Sequence, residues 1–274
     1  MNIFFAINDK YIKQLCVAIV SVLDNNSDVF IHFFVLSSDL TNRSKNKIAR
    51  IKKKYQNWDI SFITPEIHLF EGLKLNLRHI TIDTYFRYVI ADVAPDINKA
   101  LYLDADLIVN GSLKNFYDQP LGRDYCIAVK DSYVEQIDYK KNLGLGSQDL
   151  YINAGVLLLN LKEMRNNQIS EKFFKYSTEL RNIISYQDQD VINIAFKGKI
   201  REIDNTYNYT SADVKDHNKN VNPVIVHYTG KKKPWKKRCD NELAYLWKKY
   251  EKLYDAIPSN KVMYLIKKLT SIFS

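Results

Sequence analysis

Two carboxylates at positions i and i+2 close the apolar run Leu101-Tyr102-Leu103-Asp104-Ala105-Asp106, and they are the residues best placed to do chemistry in this 274-residue chain. In extended backbone such side chains share one face. Held that close, they repel each other unless a cation sits between or beside them, so a divalent metal is the natural resolution. An acidic turn is the plainer reading of a bare D-x-D. The apolar strand before it favours a site, because open α/β sheets bind ligands at the carboxyl ends of their strands.

Val226-His227-Tyr228-Thr229-Gly230, with Lys233-Pro234-Trp235 close behind, is a second candidate. A lone His ending a strand is often a hydrogen-bonded structural residue. Here Gly230 would permit close backbone approach to a ligand, Lys233 offers a cation and Trp235 a wall. If His227 joins Asp104 and Asp106, two oxygens and one imidazole nitrogen suit Mn²⁺ better than the all-oxygen shell that Mg²⁺ prefers. A third candidate, Tyr186-Gln187-Asp188-Gln189-Asp190, opens a predicted helix. Capping explains one carboxylate but not five consecutive polar groups. Clusters of Asp and Gln suit a hydroxyl-rich ligand, whose groups both donate and accept. Asn153-Ala154-Gly155 has the same character, with a turn as an equal alternative. Gly144-Leu145-Gly146 lacks the third glycine of a dinucleotide fingerprint, and no G-x-x-x-x-G-K, H-E-x-x-H or G-x-S-x-G occurs, which speaks against hydride transfer, P-loop chemistry and serine hydrolysis.

The elements that must position these groups follow from period. Residues 3–7, 30–36 and 60–63 read as buried strands, separated by amphipathic helices over 11–23 and 40–55, which is the pattern of a parallel sheet covered by helices. A helix over 84–93 with Asp83 as its cap precedes a strand over 100–103 that runs into the carboxylate pair. Further strands are expected at 125–129, 155–161 and 224–226, with helices over 170–184 and 188–196.

Composition is that of an ordinary globular protein, 46% hydrophobic and 26% charged. The formal charge of +9 is unevenly placed. From Lys231 to Ser274 there are 12 basic and 4 acidic side chains, leaving 28 against 27 in the first 230 residues. A near-neutral body with a cationic appendage is expected, not a nucleic-acid coat. Cys16, Cys126 and Cys239 cannot pair evenly and form no C-x-x-C, so neither a disulfide framework nor a zinc knuckle is expected. Met1 leads into Asn2–Ile7 without a basic n-region, and no apolar run reaches the ~18 to 20 residues of a membrane span, so a cytoplasmic protein is expected. Leu243, Leu246, Trp247 and Tyr250 form one helical stripe, and Val262, Leu265, Ile266, Leu269, Ile272 and Phe273 another, both flanked by Lys. They describe a peripheral helix on the inner face of an anionic membrane, or a helix packed on the body or on a neighbouring subunit of a homo-oligomer.

Six motifs in one order resemble glycosyltransferase family 8, the retaining nucleotide-sugar transferases that include bacterial lipopolysaccharide galactosyl- and glucosyltransferases and, more distantly, glycogenin. They are Ala6-Ile7-Asn8-Asp9; Arg78-His79-Ile80 with Thr84-Tyr85-Phe86-Arg87; Tyr102 to Asp106; Asn153-Ala154-Gly155-Val156; Tyr186 to Asp190; and His227 to Trp235. The resemblance implies an α/β GT-A fold with a Rossmann-like, mostly parallel sheet over residues 1–235, followed by a helical basic extension over 236–274. It implies a UDP-sugar donor carrying galactose or glucose, with Mn²⁺, or alternatively Mg²⁺, held by Asp104, Asp106 and His227. Ala6, Asn8 and Tyr11 would receive uracil and ribose. Ala105, Gly230 and Lys233 would meet the nucleotide and its phosphates, and Arg87, Asp131, Asn153, Asp188 and Gln189 the donor sugar. His79, Tyr186 and Thr229 would line the side of a glycan acceptor, lipid- or protein-linked. A same-face mechanism with Gln189 beneath the anomeric carbon is implied, with Asp188 and Asp131 as the carboxylates that double displacement would need. Thr229 departs from the family, whose lipopolysaccharide galactosyltransferases carry Cys there, and so does the triplet Lys231-Lys232-Lys233. Two alternatives remain on residues alone: a haloacid-dehalogenase-type phosphohydrolase using the D-x-D, and a nucleic-acid binder using the basic tail.

Overall fold

β1 (Asn2–Ala6) sends Ile3 and Phe5 to one face of a sheet and Phe4 to the other, and all three are fully buried. That two-sided burial is why its sequence is a continuous apolar run and not an alternating one. The structure, a computed structural model, describes residues 1–75, 81–137, 139–215 and 221–259. His79 and the apolar stripe of 262–273 lie outside the described residues.

Seven strands form the main sheet: β1, β2 (Ile31–Leu36), β3 (Trp58–Ile63), β4 (Lys99–Leu103), β6 (Cys126–Lys130), β7 (Ile152–Asn160) and β8 (Ile200–Glu202). Their order is β3-β2-β1-β4-β7-β6-β8, and only β7 runs against the rest. A small second sheet, β5-β10-β9, joins β5 (Leu107–Val109), β10 (Ile225–His227) and β9 (Tyr209–Thr210). Helix Ile12–Asp24 packs on one face of the main sheet with Leu15, Ile19 and Leu23. The segments at 82–93, 161–179 and 188–195 cover the other through Tyr85, Tyr88, Phe173 and Ile192.

Several expected elements change on closer view. The segment over 84–93 is a 3₁₀ helix, Ile82–Val89, before a short α-helix, Ile90–Val93. Asp83 sits inside it and does not cap it; its carboxylate accepts from Thr81 Oγ1 at 2.7 Å. Asn153-Ala154-Gly155 is not a turn before a strand but the start of β7 itself. The helix expected to 184 ends at Glu179. Helix Ala244–Asp255 turns the stripe of Leu246, Trp247, Tyr250 and Tyr254 onto helix Ile12–Asp24 and into the main core, not toward a bilayer. Trp247 lies 4.5 Å from Trp235, and Tyr228 Oη donates to the Leu243 carbonyl at 2.9 Å. This helix therefore braces the chain that follows β10. Among the described residues no helix is long and apolar enough to cross a membrane.

Candidate active site

The chain leaves β1 toward β2 and β3 on one side, while β4 and the remaining strands lie on the other. Between β1 and β4 the strand order reverses, and at such a point the carboxyl ends diverge into a crevice. A cleft of about 900 Å³ opens there. Every described residue to which the family resemblance gives a donor, acceptor or metal role lines it, whereas Gln187, Asp190 and Trp235, the expected wall, do not, and Trp235 packs on Trp247 instead. Ala6, Asn8 and Tyr11 follow β1, and Asp104, Ala105 and Asp106 follow β4. Arg87 comes from the 3₁₀ helix, Asp131 from the end of β6 and Asn153 from β7. Tyr186, Asp188 and Gln189 come from the start of helix Asp188–Ala195, and Thr229, Gly230 and Lys233 come from the chain after His227.

Sheet register brings the carboxylates to the imidazole. Asp104-Ala105-Asp106 is the link between β4 in the large sheet and β5 in the small one. β5 runs antiparallel to β10 with Leu107 opposite His227, so Asp106 and His227 become neighbours 121 residues apart in sequence. Candidate ligand atoms of Asp104, Asp106 and His227 all lie within 4.8 Å of one another. His227 Nε2 is 3.1 Å from Asp106 Oδ1 and 3.8 Å from Asp104 Oδ2. Burial alone would raise the Asp106 carboxyl, but the Lys233 ammonium, the largest influence against it, holds it well below the usual carboxylate range.

A backbone amide sets the imidazole tautomer through two side chains. Gly155 N–H donates to Asn153 Oδ1 at 3.1 Å, so that atom is the acceptor end of Asn153. Asn208 Nδ2 donates to the same oxygen at 3.0 Å, which leaves Asn208 Oδ1 to face His227 Nδ1 at 3.0 Å. The proton thus belongs on Nδ1, and Nε2 directs its lone pair at two carboxylates. Asp104, Asp106 and His227 Nε2 thus converge as three electron-pair donors, a set that fits a cation. Asn208 was not visible as a functional residue from sequence, since it acts only through contacts 19 and 55 residues away. Asn208→Ala is expected to lower divalent-metal affinity by roughly 10- to 100-fold while the fold persists, as measured by metal titration beside circular dichroism; unchanged affinity would show that the tautomer needs no such partner.

Arg87 ties the carboxylate pair after β4 to the polar cluster at the start of helix Asp188–Ala195. Its guanidinium meets Asp104 Oδ1 and Asp188 Oδ2, each at 3.0 Å, and donates to the Ala154 carbonyl at 2.5 Å, with Tyr102 beneath it. Tyr102 Oη also donates to Asp104 Oδ1 at 2.7 Å, which leaves Asp104 Oδ2 facing the imidazole. Asp188 is buried, and burial pushes its carboxyl up to about 6; Arg87 opposes this and Asp104 adds to it. Asp131 Oδ1 accepts from Val134 N–H, and Oδ2 accepts from Asn153 and from Gln189 Nε2. Gln189 Oε1 in turn accepts from Ala154 N–H at 3.1 Å. Asp190 serves the fold: it accepts from the hydroxyls of Tyr139 and Tyr151 and from the amides of Ser185 and Tyr186.

The two glycines of the site are required for different reasons. Gly230 has φ +78° with no atom of the described residues within 4 Å of a hypothetical Cβ, so left-handed backbone, not close approach to the protein, accounts for it. Close approach belongs to Gly155, where an added Cβ would stand 2.2 Å from His227 Cε1 and 2.8 Å from Asp104 Oδ2. A lone glycine in a buried strand was the available signal.

Residues 2–239 match the family model for glycosyl transferase family 8. A Haemophilus influenzae relative is 30% identical over 286 aligned residues, covering 97% of this chain and 85% of its own. The lipopolysaccharide 1,3-galactosyltransferase of Salmonella typhimurium is 28% identical, over 85% of this chain and 72% of its own. A crystal structure of the galactosyltransferase LgtC with donor and acceptor sugar analogues superposes with a TM-score of 0.87 at 32% identity, covering 94% of this chain and 98% of that one. These matches do not favour the phosphohydrolase alternative. The switch-point cleft and single reversed strand are thus those of a GT-A fold, and the chain belongs to glycosyl transferase family 8.

Proposed function

We propose that this glycosyltransferase moves galactose or glucose from a UDP-sugar to a glycan acceptor, with retention at the anomeric carbon and with a divalent cation, Mn²⁺ in preference to Mg²⁺, held by Asp104, Asp106 and His227. The observation that carries the reading is the convergence of those three ligands beside a cluster of amide and carboxylate groups in one 900 Å³ cleft. Two oxygens and an imidazole nitrogen favour Mn²⁺. Bound there, the cation supplies Lewis-acid neutralisation for a departing diphosphate.

The chain's own groups do the rest. Arg87 and Tyr102 fix Asp104, and Asn208 fixes His227, so the ligand set needs little reorganisation. Ala6, Asn8 and Tyr11 lie at the β1 side for the nucleoside, and Asp188, Asn153 and Gln189 present donors and acceptors to sugar hydroxyls. Tyr186 and Thr229 flank the acceptor side. No carboxylate in the cluster is free to act as a nucleophile: Asp188 is paired with Arg87, and Asp131 holds three hydrogen bonds. Gln189 is an amide whose oxygen is already bonded to Ala154 N–H. These restraints support same-face attack, in which the departing phosphate oxygen takes the acceptor's proton, over double displacement.

UDP and Mn²⁺ together, but neither alone, are expected to stabilise the protein, by about 2.7 kcal/mol at a hundredfold excess over Kd. UDP release from UDP-galactose or UDP-glucose with Mn²⁺, with the anomer followed by NMR, tests the reaction. An inverted product, or no release from either sugar with the cation present, rejects the reading.

A further inference from the structure

The Lys231-Lys232-Lys233 triplet splits into unlike parts. Lys231 and Lys232 are exposed, Lys232 pairing with Asp240. Lys233 is 6% exposed, and its ammonium pairs with Asp106 Oδ2 and donates to the Tyr228 carbonyl at 2.6 Å. The turn that puts it there is firmly built: Gly230 has φ +78°, Lys236 N–H donates to the Lys233 carbonyl at 2.9 Å, and Trp235 rests on Trp247. Lys233 is thus the cation paired with Asp106, on Oδ2, while Oδ1 faces His227 Nε2.

We infer that Lys233 is the resident cation of the metal site when no metal is bound, and that metal and nucleotide bind cooperatively because each accommodates the other's effect on Lys233. This rests on the metal and UDP-sugar reading above. A divalent metal on Asp106 repels an ammonium paired with the same carboxylate, so metal binding works against the Lys233 pair and drives the ammonium off it. The displaced ammonium stays tethered beside the cleft that Lys233 lines, with no second carboxylate paired to it among the described residues. A diphosphate there gives it a partner. Metal alone therefore works against an existing ion pair, and nucleotide alone finds the lysine engaged. Linkage makes the coupling reciprocal: the factor by which UDP tightens metal is the factor by which metal tightens UDP.

Mn²⁺ titrations followed by electron paramagnetic resonance, with and without UDP, test this on the wild type and on Lys233→Met. Without UDP the variant is expected to bind Mn²⁺ about tenfold or more tightly than the wild type, and UDP is expected to tighten Mn²⁺ by a smaller factor than in the wild type. A second measurement needs no variant: acetylation of Lys233, read by mass spectrometry, should speed up with Mn²⁺ alone and slow again with Mn²⁺ plus UDP. If wild type fails to bind Mn²⁺ even with UDP, the metal reading itself is wrong. If it binds, but Lys233→Met binds Mn²⁺ no more tightly and Lys233 acetylation ignores the metal, the lysine is not the resident cation. Should the variant fail to fold, the acetylation rates decide alone.

Discussion

Gly155→Ala is expected to lower sugar transfer and UDP-sugar hydrolysis by on the order of 100-fold or more while leaving a folded protein. The added methyl would lie 2.2 Å from His227 Cε1, 2.8 Å from Asp104 Oδ2 and 2.9 Å from His227 Nδ1, inside any tolerable contact. The strand cannot yield easily. Leu103 is registered against Val156, and Asp104 N–H donates to the Gly155 carbonyl at 2.8 Å, so moving Gly155 moves the carboxylate it would have to avoid. The side chains must give instead, and His227 is held by Asn208 at Nδ1, one of the ring atoms the methyl would crowd. Overpacking of this kind costs roughly 1–3 kcal/mol, which a domain of this size survives, but it displaces two of the three candidate metal ligands together. Gly111→Ala is the control, since its methyl would meet Val224 at an ordinary 3.4 Å and no site residue. Metal titration and UDP release on both variants decide the matter. Near-normal activity in Gly155→Ala would mean that the ligand cluster tolerates displacement and is not the site of chemistry.

The contrast between Gly155 and Asn208 shows what kind of information a sequence carries about a site. The carboxylate pair and the His227 segment are each contiguous, each follows an apolar strand, and each was legible because the strand's end fixes where the side chains go. The expected helix and sheet pattern of the first 63 residues survives for the same reason, since long apolar runs and amphipathic stripes report their own burial. β5, β8 and β9 did not announce themselves: with 3, 3 and 2 residues they are too short to show a period. Yet β5 supplies the register that brings His227 to Asp106. Asn208 and the bridging role of Arg87 depend wholly on pairings set by tertiary structure. The stripe of Leu246, Trp247 and Tyr250 illustrates a different limit. An amphipathic face looks the same whether it meets lipid or protein, and only the matching face of helix Ile12–Asp24 resolves it.

Removing the Arg87 guanidinium should be the most damaging single change to stability, and the damage should depend on pH. Arg87 lies between Asp104 and Asp188 and is itself 7% exposed, so Arg87→Met leaves two carboxylates without their cation and the Ala154 carbonyl without its donor. Breaking one side of such a buried network costs roughly 3–5 kcal/mol. In the wild type, burial already pushes the Asp188 carboxyl from 3.8 to about 6. The folded chain therefore holds that proton more tightly than the unfolded chain does. The stability this contributes is fully present below the unfolded value and is lost as pH rises through about 6. Without Arg87 the main influence opposing burial is gone, so the carboxyl climbs further and the loss extends into the neutral range. Urea unfolding should accordingly find Arg87→Met more destabilised relative to wild type near pH 8 than near pH 5. Adding Asp188→Asn should recover part of the deficit at the higher pH, because a neutral amide needs no counter-charge. Equal destabilisation at both pH values, with no recovery in the double variant, would mean that Arg87 stabilises the cleft by packing on Tyr102 and not by charge.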